Sequence, residues 1–180
     1  MKLFVTGAAG FIGSNYVRHV LETSDDEVVI YDALTYAGNM ASIEDVLGSR
    51  VSFVHGDICD RDAVTAAMRG CDQVVHFAAE SHVDRSITGP DAFVHTNCDG
   101  TNVMCDVARQ LEVDKFLHVS TDEVYGSVEE GSSVETDPLD PRSPYSASKA
   151  GSDLIALSYF TCVQEPSILS SAFRTLHPTR

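Results

Sequence analysis

Basic residues are scarce in this sequence. The 180-residue chain has 12 Lys and Arg against 27 Asp and Glu, a net charge of −15. That balance repels polyanions, so neither nucleic acid nor an anionic membrane surface is expected as a partner. An anionic small ligand must instead be held by local devices: backbone N–H groups or a few placed arginines. Metal-ligand spacing is also missing. The seven histidines form no HxxxH or HExxH, and the five cysteines (Cys59, Cys71, Cys98, Cys105, Cys162) form no CxxC, so no metal site is expected. An odd cysteine count in mostly apolar context suits reduced, buried thiols, and a cytoplasmic location is expected. No apolar run approaches the ~20 residues of a membrane span. The opening MKLFVTG is interrupted too soon for a signal peptide. Without repeats or low-complexity segments, and with 43% apolar content, the chain reads as one domain with a real core.

What is present begins with a strand, Lys2–Thr6 (KLFVT), that runs into Gly7-Ala8-Ala9-Gly10-Phe11-Ile12-Gly13. Apolar spacing at Ile12, Tyr16, Val17, Val20 and Leu21 predicts a helix next. Strand, glycine turn and helix form the dinucleotide-binding arrangement. Glycines at 7, 10 and 13 allow a tight turn and close approach to a pyrophosphate, and the helix N-terminus offers oriented N–H donors. A second strand, Glu27–Tyr31, ends at Asp32, nineteen residues after Gly13. An acid there can accept from ribose hydroxyls and repel a 2′-phosphate. Ala33, Leu34 and Thr35 follow with no arginine, which favours NAD over NADP. A third strand, Val51–His55, leads to Asp57, able to accept from an adenine amino group, and Ile58, able to pack on the ring. After a helix at Arg61–Met68, a fourth strand, Gln73–Phe77, runs into Ala78-Ala79-Glu80-Ser81, where two alanines let a flat ligand approach the backbone. His76, between Val75 and Phe77, reads as a satisfied core histidine.

A long helical pattern covers Pro90–Gln110, and its polar Thr96-Asn97 pair can brace neighbouring loops. The fifth strand, Lys115–Ser120, ends in Thr121, Asp122 and Glu123. Adjacent carboxylates at the mouth of a core need partners or a job, and ligands of parallel sheets bind at the carboxyl ends of strands. The alternative is a pair of acids solvating a turn. Beyond a Gly/Ser/Pro/Asp-rich loop at 127–142, a helix runs from Ser143 to about Ser158. It places Tyr145 and Lys149 four apart on one face, where an ammonium is expected to lower the tyrosine pKa and make it a base. The expected fold is α/β: a Rossmann-like, doubly wound parallel sheet over residues 1–158.

TGAAGFIGS, the Tyr145/Lys149 pair and the hydroxyl strand end resemble the extended short-chain dehydrogenase/reductase family. Within it, DALTYAGN (32–39), AAESHVDRSI (78–87) and STDEVYG (120–126) resemble the dTDP-glucose 4,6-dehydratases. The resemblance implies NAD as cofactor and a nucleotide-sugar substrate. It implies oxidation at sugar C4, loss of water across C5 and C6, and return of hydride to C6. By position it makes Tyr145 the base at C4, supported by Lys149, while Glu123 takes the C5 proton and Asp122 protonates the leaving hydroxyl. Thr121 and Ser81 would touch the substrate. The cofactor contacts it implies are Phe11, Ile12, Asp32, Ala33, Leu34, Thr35, Asp57, Ile58, Phe77, Ala78, Ala79, Glu80, Thr96, Tyr145 and Lys149, beside Gly7, Gly10 and Gly13. Arg85 either clamps a phosphate or pairs with Asp84 or a loop carboxylate. A homodimer through the 90–110 and 143–158 helices would suit the family. A 4-epimerase or decarboxylase of the same superfamily, or a non-catalytic dinucleotide-binding module, are the other readings. The tail, 159–180, carries Pro166 and Pro178, no Asn and no clear strand followed by a turn. It is expected to be atypical, as in a truncated or frame-shifted product with the C-terminal substrate domain largely absent.

Overall fold

The structure, a computed structural model, describes residues 1–128, 130–162 and 171–173. Its strands are β1 (Lys2–Thr6), β2 (Glu27–Asp32), β3 (Val51–His55), β4 (Gln73–His76), β5 (Lys115–Val119) and β6 (Ser171–Phe173). Its helices are α1 (Phe11–Thr23), α2 (Arg61–Met68), α3 (Val83–Thr88), α4 (Pro90–Val94), α5 (Thr101–Gln110) and α6 (Pro144–Cys162). All strand pairs are parallel, in the order β3-β2-β1-β4-β5-β6. This is the doubly wound Rossmann order, and its direction reverses between β1 and β4.

The strand sequences explain the arrangement. A parallel sheet covered on both faces needs near-continuous apolar strands, and KLFVT, EVVIY and QVVH supply them. Successive side chains alternate between two cores. Phe4, Val29, Val74 and Phe116 face α2 and α5 with Val64, Met68, Met104 and Val107. Leu3, Val5, Val28, Ile30 and Val75 face α1 with Val17 and Val20. Thr6 pairs with Tyr31 on one side and His76 on the other, so the carboxyl ends of the three central strands lie level.

Several details differ from the expectations. The 90–110 helix is continuous but not uniform: a π-helical turn, His95–Gly100, joins α4 to α5. Gly100 sits there because a Cβ would lie 2.5 Å from Ile58 Cδ1. α3 and the short 3₁₀ turns at Met40–Ser42 and Glu44–Val46 have periodicities too brief to read. α6 continues past Ser158 to Cys162, and a sixth strand follows, where no clear strand was expected; its three residues pair with Leu117, His118 and Val119. The turn beyond it lies outside the described residues. No helix among the described residues is long and apolar enough to cross a membrane. Cys59, Cys71, Cys98 and Cys105 are free thiols; Cys71 and Cys105 are buried, Cys59 and Cys98 half-buried.

His76 is the core histidine that its neighbours suggest. Its Nδ1 lies 2.7 Å from Thr6 Oγ1 and its Nε2 3.2 Å from Thr101 Oγ1, all buried. Burial, with the His118 and Lys149 charges nearby, holds its pKa well below the ordinary 6.5, and burial lowers that of His118 too. Both are therefore neutral when folded at neutral pH. The unfolded chain binds these protons first, so the stability that their neutrality gives is present above pH 6.5 and is lost as pH falls toward the folded pKa values. Urea unfolding at pH 7 and pH 5 should show this loss, and His76→Gln should reduce the difference between the two pH values. An unchanged difference would mean that His76 does not titrate this way.

Candidate functional site

The site starts at the glycine loop. Gly7 has φ +68°, and a Cβ on it would lie 2.6 Å from the Ala78 backbone nitrogen. A Cβ on Gly13 would lie 2.5 Å from Gly7 O, so the first turn of α1 rests directly on the loop. Gly10 caps α1 without any side-chain hydrogen bond, and the first turn carries no acid. The unpaired N–H groups and partial positive charge of that turn suit an anion.

Asp32 ends β2 and is almost fully buried. Its Oδ2 accepts from Ala9 N at 2.9 Å and its Oδ1 from Leu34 N at 2.8 Å, which fixes the carboxylate beside the glycine loop. Gly38 packs against it, since a Cβ there would lie 2.7 Å from Asp32 Oδ1. Asp57 accepts from Cys59 N at 2.9 Å. Across the site, Asn97 is buried and braces the β4 loop: it accepts from Glu80 N, donates to Glu80 O, and donates to Ser148 Oγ at 2.8 Å. Tyr36 Oη accepts from Ser81 N at 3.2 Å, joining the 33–38 loop to the 78–82 loop. Arg85 stacks on the Tyr36 ring at 3.8 Å, and no ion pair joins it to Asp84 or a loop carboxylate among the described residues.

These pieces enclose a cavity of about 430 Å³ at the β1/β4 switch point. Its wall contains Gly7, Gly10, Phe11, Ile12, Gly13, Asp32, Ala33, Thr35, Asp57, Ile58, Phe77, Ala78, Ala79, Glu80, Ser81, Thr96, Tyr145 and Lys149. Leu34 is absent from the wall; its amide is spent on Asp32, and its own φ is +50°. Thr121, Asp122 and Glu123 also lie outside it. Sequence reasoning missed Tyr31, Ala37, Gly38, Gly56, Val119 and Ser120, which do line the cavity. Ala37, Gly38 and Ser120 lie in the stretches 32–39 and 120–126 that resemble the family, and Gly56 is a glycine just after a strand, where a Cβ would meet Tyr31 Oη at 2.3 Å.

Beyond the end of β5, past Val119 and Ser120 on the cavity wall, lie the hydroxyl and the acid pair. Thr121 caps a 3₁₀ turn, Asp122–Tyr125, through Glu123 N, and this turn replaces the extended strand end that would send neighbouring side chains to opposite faces. Asp122 and Glu123 are exposed while Val124 and Tyr125 are buried. Burial and the neighbouring Asp122 charge raise the Glu123 pKa. Tyr145 is buried, and its pKa is also raised: burial dominates, the Thr121 hydrogen bond opposes it, and the charges of Glu123 and Asp122 add to it. Lys149 was expected to lower the Tyr145 pKa, and the structure corrects this. The Lys149 ammonium donates to Val119 O at 2.8 Å, and burial lowers its own pKa to about 8.

A glycine-loop cavity at the switch point of a parallel sheet, meeting a Tyr/Lys helix, defines a Rossmann-type dinucleotide-binding domain. The GDP-mannose 4,6 dehydratase family model matches residues 4–180, and the chain belongs to that family. The match reaches beyond residue 158, where the resemblance was read as ending. A dTDP-glucose 4,6-dehydratase of Streptomyces antibioticus is 56% identical over 165 residues, 88% of this chain and 49% of that protein. The low-salt glycan biosynthesis protein Agl12 of Haloferax volcanii is 50% identical over 99% of this chain and 58% of its own length. Among solved structures, DesIV, a dTDP-glucose 4,6-dehydratase of Streptomyces venezuelae with NAD and TYD bound, superposes with TM-score 0.88 at 51% identity, covering 91% of this chain and 52% of that one. The chain spans about half the length of the curated relatives it matches.

The acid pair makes a direct prediction. Asp122→Asn removes a like charge and should move the Glu123 titration to lower pH. Carboxylate ¹³C NMR reads this, and an unmoved midpoint would show that the two acids do not interact.

Proposed function

We propose that this chain carries the cofactor site and the reacting groups of an NAD-dependent dTDP-glucose 4,6-dehydratase, a hydro-lyase. The observation that carries the reading is the convergence on one cavity of the glycine loop, Asp32 and the Tyr145/Lys149 helix, with the Asp122-Glu123 turn close enough to act on Tyr145. The residues fit NAD. The space beside Gly7 and Gly13 is closed to side chains, the α1 N-terminus favours the pyrophosphate, and the Asp32 carboxylate, with no arginine after it, favours ribose hydroxyls over a 2′-phosphate. Bound there, NAD supplies the hydride acceptor for oxidation at sugar C4 and the hydride donor for reduction at C6.

The chain's own groups handle the protons. Tyr145, hydrogen-bonded to Thr121, takes the C4 hydroxyl proton. Its raised pKa makes the phenolate a strong base but a scarce one, so a bound ligand must favour the ionised form. Glu123 takes the C5 proton and gives it back to C5 when C6 is reduced, and its raised pKa brings its basicity nearer neutrality. Asp122 gives a proton to the C6 hydroxyl as it leaves. Ser81 and Thr121 orient the sugar. The reading includes a cytoplasmic enzyme, which the free thiols support, and a homodimer, supported by the exposed Val94 and Leu154 on α4 and α6.

The purified chain incubated with NAD and dTDP-glucose should yield a 4-keto-6-deoxy nucleotide sugar, identified by mass spectrometry. NAD binding without turnover would instead select a dinucleotide-binding module. Glu123→Gln should retain C4 oxidation and lose elimination by about 10²-fold or more. Equal loss of both steps would speak for an epimerase-like use of the site.

A further inference from the structure

β1 lies between β2 and β4, so the loops that leave β2 and β4 emerge on opposite sides of the glycine loop. With neighbouring strands about 4.8 Å apart, roughly 10 Å separates the two exits. A contact between those loops must pass over the glycine loop, and Tyr36 makes one. Its hydroxyl accepts from Ser81 N at 3.2 Å, across 45 residues of sequence. The Arg85 guanidinium, on α3, lies 3.8 Å from the centre of the same ring. The tyrosine runs outside the cavity. Thr35, Ala37 and Ser81 stand in the wall, whereas Tyr36 does not and is exposed.

The loop that carries Tyr36 is pinned at both ends. Leu34 N donates to Asp32 Oδ1 at 2.8 Å, and Asn39 N donates to Ala9 O at 3.0 Å. Leu34 takes φ +50°, a conformation that a non-glycine residue keeps only where its surroundings hold it. The contacts at the tip are of another kind. One is a single hydrogen bond between exposed groups and the other a cation–π contact at the surface, and both compete with water. Firm ends and a lightly held tip are the parts of a latch.

We propose that Tyr36, Ser81 and Arg85 form a clasp over the glycine loop, which opens for an elongated ligand to enter or leave the cavity and is closed between these events. The proposal rests on reading the cavity as a dinucleotide site. Because the clasp is made without ligand, its kinetic signature is distinct. A contact present in both free and bound protein shifts no binding equilibrium, but it slows exchange in both directions. A residue that touches the ligand behaves otherwise: its loss speeds dissociation and spares association. Arg85 acting as a phosphate clamp would follow this second pattern.

Stopped-flow binding of NADH, followed by its fluorescence, separates the two. In Tyr36→Ala, which removes hydroxyl and ring together, both rate constants should rise by about fivefold to tenfold, with Kd changed by less than about threefold. Arg85→Gln should raise both by about twofold to threefold. Faster dissociation with unchanged association in either variant, or neither rate changed in Tyr36→Ala, overturns the proposal. A second measurement needs no ligand. Solvent exchange of the Ser81 amide should be slowed in the unaltered chain and faster in Tyr36→Phe, while the Asn39 amide, bonded to Ala9 O, keeps its rate. Equal Ser81 exchange in the two proteins overturns the clasp. If the unaltered chain binds no NADH, the dinucleotide reading fails, and the exchange comparison alone decides the clasp.

Discussion

The contact between Gly7 and the backbone of Ala78 is the constraint on which the site depends. It brings the loop after β1 onto the end of β4, at the point where the order of strands changes direction. With that approach made, α1 can start on the loop, Ala9 N can reach the Asp32 carboxylate, and the ends of β1, β2 and β4 bound one crevice. A Cβ at position 7 would lie 2.6 Å from the Ala78 backbone nitrogen, so these elements would have to part, in a backbone conformation that L residues rarely adopt. Stability and site geometry are therefore the same set of contacts at this corner of the sheet.

Electrostatics at the other end follow a different logic. The chain is strongly acidic, yet the corner beneath Tyr145 buries Lys149, two neutral histidines and Asp153. The surface charge contributes little there, because solvent screens it while the buried groups feel one another directly. Tyr145 and Glu123 both have raised proton affinities, for a shared reason: each is partly withdrawn from water and faces other carboxylates.

The legible parts of the site were those whose reason is local in sequence. Glycines 10 and 13 answer to sterics within one turn and Gly7 to its own positive φ, Asp32 to its place at a strand end, and Tyr145 and Lys149 to one helical turn. The parts that resisted reading depend on a partner far along the chain. Lys149 was expected to act on Tyr145, but its ammonium is captured by Val119, thirty residues away. Leu34 looked like a ligand contact because of its neighbours, while its amide serves Asp32. β6 was invisible because three residues carry no periodicity and their pairing with β5 is wholly tertiary. The π-helical turn was hidden because no residue type in His95–Gly100 marks the change of hydrogen-bond step from four residues to five.

That turn has a consequence for how the chain can vary in length. The extra residue advances the phase of the helix, so that α4 and α5 present different azimuths to the fold. One part carries Asn97 toward the β4 loop and α6, and the other carries Met104 and Val107 into the core beside α2. The two halves are geared together through a single surplus peptide. Losing one residue between 95 and 100 would relax the gear to an ordinary α-helix and turn one of the two surfaces by roughly 100°. Segment length here is accordingly as constrained as residue identity, and related chains should conserve the spacing between Pro90 and Gln110 even where the side chains differ.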